Sequence, residues 1–114
     1  MSKIADDVCE RVRKLFPHET IIFEHYIYYK NAKLFFDLYI KSLNILIEVQ
    51  GVQHFKFVSH FHGTKEKFYA QKRRDNFKVE YCEENNLTLV LFYDKVDKIN
   101  DQLILNRIYE AMDE

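Results

Sequence analysis

Two neighbouring segments, residues 33–40 and 45–50, constrain the fold of this chain most strongly. Successive side chains of a β-strand point to opposite faces of the sheet, so each segment is expected to have two distinct faces. One predicted face is wholly apolar and must meet a core: Leu34, Phe36, Leu38, Ile40, Ile45, Ile47 and Val49. The opposite face carries the polar groups and three further side chains: Asp37, Glu48, Gln50, Phe35, Tyr39 and Leu46.

Asp37 and Glu48 place two carboxylates on adjacent strands beside a buried sheet. Desolvation and mutual repulsion make this arrangement unfavourable unless a proton or a cation joins the two groups. Carboxylate oxygens suit hard cations such as Mg²⁺ and Mn²⁺. The pair therefore predicts a hard-metal site, and the alternative is that each carboxylate is paired with a nearby Lys or Arg.

Length and composition predict one ordered domain over residues 1–114, because 47% of the residues are apolar and 18 are aromatic (10 Phe and 8 Tyr). No apolar run is long enough to span a membrane, and we expect no signal peptide. Cys9 and Cys82 lie in unrelated patterns without a CxxC pair, which is typical of reduced cytosolic thiols. We therefore expect a soluble, cytoplasmic protein.

Periodicity and capping residues predict the element order αβββαβα. Ser2 is expected to cap a helix over 3–16, Thr64 a helix over 65–84, and Asn85–Asn86 to end the latter. Residues 87–93 form an almost continuous apolar run, which predicts a strand buried on both faces. The remaining predicted elements are strands over 20–28, 33–40 and 45–50, a turn over 29–32, and a helix over 98–112.

Charge is unevenly distributed although the net charge is only −1. Residues 65–78 carry six Lys or Arg against two acidic residues. A basic strip beside an acidic pocket is what an enzyme acting on a polyanion requires, whereas the alternative is a solvated helix face. The predicted phosphate contacts are Lys65, Lys67, Lys72, Arg73 and Arg74.

The segments FFDLYI, IEVQGVQHF, RRDNFKVEYCEENN and LTLVLF, in this order, resemble the PD-(D/E)XK nuclease superfamily over residues 33–93. Within it, the chain is most similar to the small Vsr-like nucleases, which include very-short-patch repair and phage or intron-associated homing endonucleases. The resemblance implies an α/β (α+β) fold with a restriction-endonuclease-like αβββαβα core. It also implies a mixed central sheet flanked by helices.

The resemblance further implies roles for individual residues. Asp37 and Glu48 resemble the family's metal ligands, with the Val49 carbonyl as a third oxygen. Gln50 stands where the superfamily has lysine, and a neutral amide has no proton to exchange near pH 7. His54 resembles the histidine of the family's Gly-x-Gln-His segment and is the best local general acid or base.

Two further positions remain open. Relatives use an acidic residue from the first helix, for which Asp6, Asp7 and Glu10 are candidates, and Glu24 on the first strand competes with them. On the predicted helix 65–84, residues three and four apart share a face. If that face meets the strand ends, Asp75 can orient His54 and Lys78 can replace the absent strand lysine. The shared face comprises Gln71, Asp75, Lys78 and Cys82.

Other polar and aromatic residues carry weaker signals. His60 and His62 form a two-residue pair without a third ligand, so contact with phosphate or a DNA groove is the preferred interpretation. The segment Tyr26–Tyr29 is interpreted as core and strand edge in preference to a base-stacking platform.

The resulting functional hypothesis is a Mg²⁺-dependent DNA endonuclease, with Mn²⁺ as a substitute, encoded by a phage or mobile element. Homing and structure- or mismatch-selective cleavage are its variants, and a homodimer or a specificity-conferring partner would compensate for the small size. The alternatives are a non-catalytic nucleic-acid-binding module on the same fold and a structural α/β domain whose acidic residues pair internally.

Overall fold

The computed structural model describes residues 2–51 and 63–113, which form four strands and three α-helices in the predicted order. A short 3₁₀ turn, Lys41–Leu43, joins the second and third strands. The fold is therefore a mixed α/β fold, as predicted. The elements are α1 (Lys3–Leu15), β1 (Ile21–Tyr29), β2 (Ala32–Ile40), β3 (Ile45–Gln50), α2 (Lys65–Glu84), β4 (Thr88–Tyr93) and α3 (Asp101–Met112).

The four described strands form one mixed sheet in the order β1-β2-β3-β4. The β1–β2 and β2–β3 pairs are antiparallel, and β3 and β4 are parallel. The parallel pair needs a crossover, which α2 supplies on one face of the sheet. Edge positions therefore belong to β1 and β4.

Side-chain caps fix the helix starts. The Ser2 hydroxyl accepts from the Ala5 N–H at 3.2 Å, and the Thr64 hydroxyl accepts from the Lys67 N–H at 3.2 Å, as predicted. The α3 helix begins at Asp101, three residues later than expected. The reason is that Asn100 takes an extended conformation and its side chain accepts from the Leu103 N–H at 2.9 Å.

The β1–β2 turn is tighter than predicted. Tyr29 pairs directly with Ala32, so only Lys30 and Asn31 lie between the strands, with φ of 50° and 64°. Two successive positive φ angles are the signature of a type I′ hairpin turn, whose twist matches that of the strands. This turn sets the register of the whole hairpin.

The sheet separates two apolar cores. Helices α1 and α3 cover one face, and α2 covers the other; Ile47 lies in the first core and Leu46 in the second, as strand alternation requires. The first core includes Val8, Val12, Ile45, Ile47, Phe92, Ile104 and Ile108. The second includes Leu34, Phe36, Leu46 and Cys82, with Phe77 and Tyr81 packed against it.

The predicted single apolar face of β2 is wrong. Leu34 and Phe36 pack into the α2 core, whereas Leu38 and Ile40 pack into the α1–α3 core, so the alternation shifts by one position at Asp37. Tyr39 accordingly packs against the α2 core and does not share a side with Phe35. The shift is the first sign that Asp37 departs from regular strand geometry.

In β1, the alternation of side chains between the two cores also shifts by one position, opposite the shift in β2. Ile21 packs against the α1–α3 core and Ile27 against the α2 core. Between them Glu24 has φ of 51°, and the pairing is interrupted between Phe23↔Leu38 and His25↔Phe36. A positive φ is strained for a non-glycine strand residue, and such strain concentrates at functional sites.

The predicted burial of the last strand and the predicted reduced cysteines can be compared with the structure. Val90 and Phe92 of β4 are buried in the α1–α3 core, but Leu89 is only partly buried against the α2 core, so burial on both faces holds in part. Cys9 and Cys82 are buried free thiols. Within residues 2–51 and 63–113, no helix has the length and apolar character to cross a membrane.

Candidate active site

Asp37 lies where β2 and β3 separate. Their paired register ends at Leu38↔Ile47, and beyond it the Asp37 carboxylate accepts a hydrogen bond from the Val49 backbone N–H at 2.8 Å. A side-chain oxygen thus replaces the carbonyl that the next ladder position would supply. The separation is what allows a carboxylate to enter the sheet between two apolar cores.

The environment of Asp37 disfavours its charged form. Burial raises the pKa of the Asp37 carboxyl, and the nearby Glu24 carboxylate raises it further. The Val49 N–H and the Lys78 ammonium act in the opposite direction and lower the pKa. The net shift is upward, so burial outweighs the groups that stabilise the charged carboxylate.

Glu48 and Lys78 form a buried ion pair between β3 and α2. Their residues are 7% and 8% exposed, and Lys78 Nζ donates to Glu48 Oε1. The ammonium also lies 5.5 Å from the centre of the Phe36 ring, a cation–π contact. The condition that the sequence left open is met, because this face of α2 packs against the strands and brings Lys78 to the Glu48 carboxylate.

The rest of the predicted α2 face lies beside Lys78. Gln71, Asp75 and Lys78 together line a small cavity of about 80 Å³ between α2 and the β2 segment Lys33–Phe35. Gln50 pairs with Tyr93 of β4, and its carbonyl accepts from the Asp94 N–H at 2.8 Å. By strand alternation Gln50 and Glu48 share the α2 side of β3.

Glu24 acts electrostatically on Asp37, whereas Asp6 acts on the thiol of Cys9. Burial raises the pKa of the Cys9 thiol to about 12, and Asp37, Asp6 and Glu24 contribute to the rise. The other two acidic residues of α1 that the sequence suggested have partners on the surface: Asp7 pairs with Arg11 at 3.1 Å and Glu10 with Arg13 at 2.5 Å.

The donor set fits a hard divalent cation. Asp37 and Glu48 offer carboxylate oxygens, and Lys78 compensates the charge of one of them. In the described part of the chain, no group of three or more His, Cys, Asp or Glu side chains is close enough to hold a metal alone. Any remaining ligands would be the Val49 carbonyl, as predicted, and water or substrate oxygens.

An open groove of about 410 Å³ leads to Asp37 between the first two strands. Sequence reasoning missed its cationic residue, Lys33, which the two-residue turn places opposite Tyr28 in the hairpin register. The Lys30–Asn31 pair between two β-branched and aromatic segments was the available signal for that turn. The groove is lined by Glu24, Tyr26, Lys33, Phe35, Phe36 and Asp37.

A second groove, of about 430 Å³, lies between the hairpin turn and α2. It brings Arg73 and Arg74, two of the predicted phosphate contacts, together with Lys30 and Lys33. The other three predicted contacts do not line it: Lys65 and Lys67 are exposed in the first turn of α2, and Lys72 lies 5.8 Å from the Phe68 ring.

Three predicted site histidines, His54, His60 and His62, lie outside the described residues. The proposed contact between Asp75 and His54 therefore stays a prediction.

Comparison with known proteins finds viral relatives. A 60-residue segment, 53% of this chain, is 43% identical to uncharacterized protein 307L of Invertebrate iridescent virus 6. A 55-residue segment, 47% of the chain, is 40% identical to uncharacterized protein 094L of Frog virus 3. The chain spans about a third of the length of these relatives, 30% and 36%. No family model and no solved structure matches the chain.

Proposed function

We propose that this chain is a metal-dependent DNA endonuclease that hydrolyses phosphodiester bonds. The observation that carries the proposal is the juxtaposition of three charged groups where β2 and β3 separate. Asp37 accepts from the Val49 N–H, Glu48 follows on the neighbouring strand, and the Lys78 ammonium donates to Glu48. The resemblance of residues 33–93 to PD-(D/E)XK nucleases assigns the same chemistry to the same two carboxylates.

A bound Mg²⁺ or Mn²⁺ would supply charge relief at the scissile phosphate, and Asp37 and Glu48 would hold it. The side chains of the protein would position the phosphate and the attacking water. Lys78 Nζ, fixed by Glu48 Oε1, carries a positive charge that a phosphate oxygen or an attacking water can approach. Lys78 thus takes the place of the strand lysine whose position Gln50 occupies.

In this proposal, the two metal ligands and Lys78 do not transfer the proton. Gln50 can orient a water but cannot exchange a proton near pH 7. His54 is proposed as the acid or base, as the resemblance implies. Glu24 is proposed as the additional acidic residue because it lies where the β1–β2 pairing is interrupted next to Asp37, and its carboxylate acts electrostatically on Asp37.

The partners follow from size and charge. Arg73 and Arg74 line the groove next to the hairpin and would contact DNA phosphates. A homodimer or an additional specificity segment would enlarge the DNA contact area. The relatives are proteins of two viruses, which supports a viral origin for the proposed enzyme.

A cleavage assay tests the proposal directly. Supercoiled plasmid and branched oligonucleotides are incubated with Mg²⁺ or Mn²⁺ and the wild type, Asp37→Ala, Glu48→Ala or Lys78→Met. We expect each substitution to reduce the rate at least 100-fold, on the order of the contribution of a single electrostatic group. The matched control is Lys14→Met, which removes an exposed lysine paired with Glu10 on α1. Cleavage that survives both carboxylate substitutions would disprove the site.

The second candidate function is a nucleic-acid-binding module without catalysis. One observation favours it: Lys78 already compensates the charge of Glu48 inside the protein without a metal. Salt-sensitive DNA binding by a folded wild type that never cleaves DNA with either metal would support this alternative.

A further inference from the structure

The hairpin end presents an aromatic platform, defined by Tyr26, Tyr28, Phe35 and Lys33. The three rings are 51%, 71% and 52% exposed. Lys33 Nζ lies 4.3 Å from the centre of the Tyr26 ring, 5.1 Å from that of Phe35 and 5.9 Å from that of Tyr28. Tyr26–Tyr29 is the segment interpreted as core and strand edge: β1 is an edge strand of the described sheet and Tyr29 packs against the α2 core, whereas Tyr26 and Tyr28 are exposed.

The hairpin register holds the platform together. Tyr26 pairs with Phe35 and Tyr28 with Lys33, so all four side chains lie on the face opposite α2. Tyr26 is in ring contact with both other aromatics, with centroids 6.1 Å from Tyr28 and 5.9 Å from Phe35. A single exposed aromatic residue needs no explanation, whereas a contiguous cluster marks an interaction surface.

The platform adjoins the candidate active site. Tyr26, Lys33 and Phe35 form one wall of the groove that Asp37 and Glu24 close at the other end. Its volume of about 410 Å³ is in the range of ligand-binding clefts, roughly 300–1,000 Å³. Lys33 also lines the groove of Arg73 and Arg74. A strand lying on the platform would therefore have Lys33 beside its backbone and carboxylates at one end.

We propose that the aromatic platform stacks the unpaired bases of a single DNA strand next to the cleavage site. The inference deepens the endonuclease proposal and rests on it, because it names the substrate class: DNA with displaced or single-stranded bases. Bases in an intact duplex cover one another, whereas unpaired bases expose faces that aromatic rings can contact without sequence preference. Lys33 provides charge complementarity for the phosphates of that strand, and a continuation of the strand past the hairpin turn would meet Arg73 and Arg74, with which Lys33 lines the second groove.

A binding experiment in EDTA tests the inference separately from catalysis. Fluorescence anisotropy measures the Kd of the wild type for a labelled 12-nucleotide oligo-dT and for a duplex of the same length. We expect Tyr26→Ala, Tyr28→Ala and Phe35→Ala each to weaken oligo-dT binding about 5- to 100-fold, the range for loss of one stacking contact. Duplex affinity should change less than twofold.

Three controls separate stacking from charge and from misfolding. Tyr109→Ala removes an aromatic of matched exposure, 52%, on α3 and should leave both Kd values unchanged. Tyr26→Phe keeps the ring and should keep the affinity. Lys33→Ala should weaken single-strand and duplex binding alike, because it removes charge. In addition, the chain has eight Tyr and no Trp, so oligo-dT should quench its tyrosine fluorescence directly.

The outcomes distinguish the two proposals. Selective loss of oligo-dT binding in the alanine variants supports the platform. If cleavage survives the Asp37→Ala substitution, the catalytic site is disproved but the platform is not. Unchanged oligo-dT affinity in all three folded alanine variants overturns the platform. If those variants instead convert a dimer to a monomer in sedimentation, the surface is an interface between copies and the inference is wrong.

Discussion

The ammonium of Lys78 donates to the Glu48 carboxylate across the interface of α2 and β3, and each side chain is only 10% exposed. Each charge has lost most of its contact with water, so each depends on the other. Breaking such a pair on one side is far more costly than replacing both partners. This relationship makes Lys78 both a structural and a functional candidate, and the two roles can be separated experimentally.

Lys78→Met should lower the free energy of unfolding by about 3–5 kcal/mol, because Glu48 would remain buried without its compensating charge. The double variant Glu48→Gln/Lys78→Met should recover most of that loss. Urea unfolding measures both effects. Lys30→Met is the control, since its exposed pair with Glu80 contributes about 0–1 kcal/mol. Equal destabilisation in the single and double variants would contradict the prediction.

Asp37→Asn should increase the free energy of unfolding at pH 7. The pKa of Asp37 is raised in the folded state, chiefly by burial, from its usual 3.8. Between these two pKa values the folded state holds a proton that the unfolded state has lost, so this contribution to stability falls as the pH rises. The variant should lack that fall. Urea unfolding midpoints of both proteins from pH 3 to pH 7 measure the difference. The prediction is contradicted if the wild type is as stable as the variant, or more stable, at pH 7.

Divalent cations should stabilise the wild type. A cation that binds the folded state at a concentration 100 times its Kd adds about 2.7 kcal/mol, and Asp37 is proposed to hold it. Thermal unfolding with Mn²⁺ should therefore show a higher Tm than with EDTA, and Asp37→Ala should abolish the rise. Asp7→Ala is the matched control, because Asp7 is an exposed acidic residue paired with Arg11. An equal rise in Asp37→Ala would exclude this site.

Loss of Arg107 should destabilise the junction of β4 and α3. Its guanidinium donates to both Asp97 oxygens at 2.6 and 2.7 Å and to the Leu91 carbonyl at 3.0 Å, while Asp97 also accepts from the Tyr93 N–H. Arg107→Ala should cost about 1–3 kcal/mol. Arg107 lowers the pKa of Asp97, so this stabilisation is present above the usual pKa of 3.8 and disappears as the pH falls through the lowered value.

The matched control for Arg107→Ala is Arg13→Ala, which removes a surface pair with Glu10 and should change stability by less than about 1 kcal/mol. Urea unfolding at pH 7 and pH 3 measures both variants. A cost of Arg107→Ala that is as large at pH 3 as at pH 7 would show that the ion pair does not cause it.

Arg73→Ala and Arg74→Ala should weaken DNA binding uniformly across sequences. Each neutralised phosphate contributes about 0.9 to the slope of log K against log salt on duplex DNA, so each substitution should reduce that slope by about one. Arg13→Ala on α1 is the control of equal charge. If the slope of log K against log salt is unchanged in both α2 variants, Arg73 and Arg74 do not contact DNA phosphates.

Much of the fold follows from local chemistry that the sequence displays. The caps at Ser2 and Thr64 and the helix end at Asn85–Asn86 depend on neighbours in the chain and could be predicted. The alternation shift at Asp37 could not, because it arises when β2 leaves β3 and a carboxylate replaces a ladder carbonyl. The burial of Lys78 required knowing which face of α2 meets the sheet, and charge patterning alone favoured solvent.

The parallel pairing of β3 with β4 also has a consequence for how the protein forms. The β1–β2–β3 meander joins strands through short turns, whereas Glu48 and Lys78 are 30 positions apart and meet only when the crossover helix docks. Contacts between distant residues require more chain entropy to be lost first, and they tend to form late. The meander is thus expected to precede the ion pair, so a folding intermediate would contain Asp37 in its strand but no Glu48–Lys78 ion pair. In folding kinetics, this order would give low φ-values, the ratio of the change in folding barrier to the change in stability, for mutations in the crossover, and higher φ-values for mutations in the hairpin.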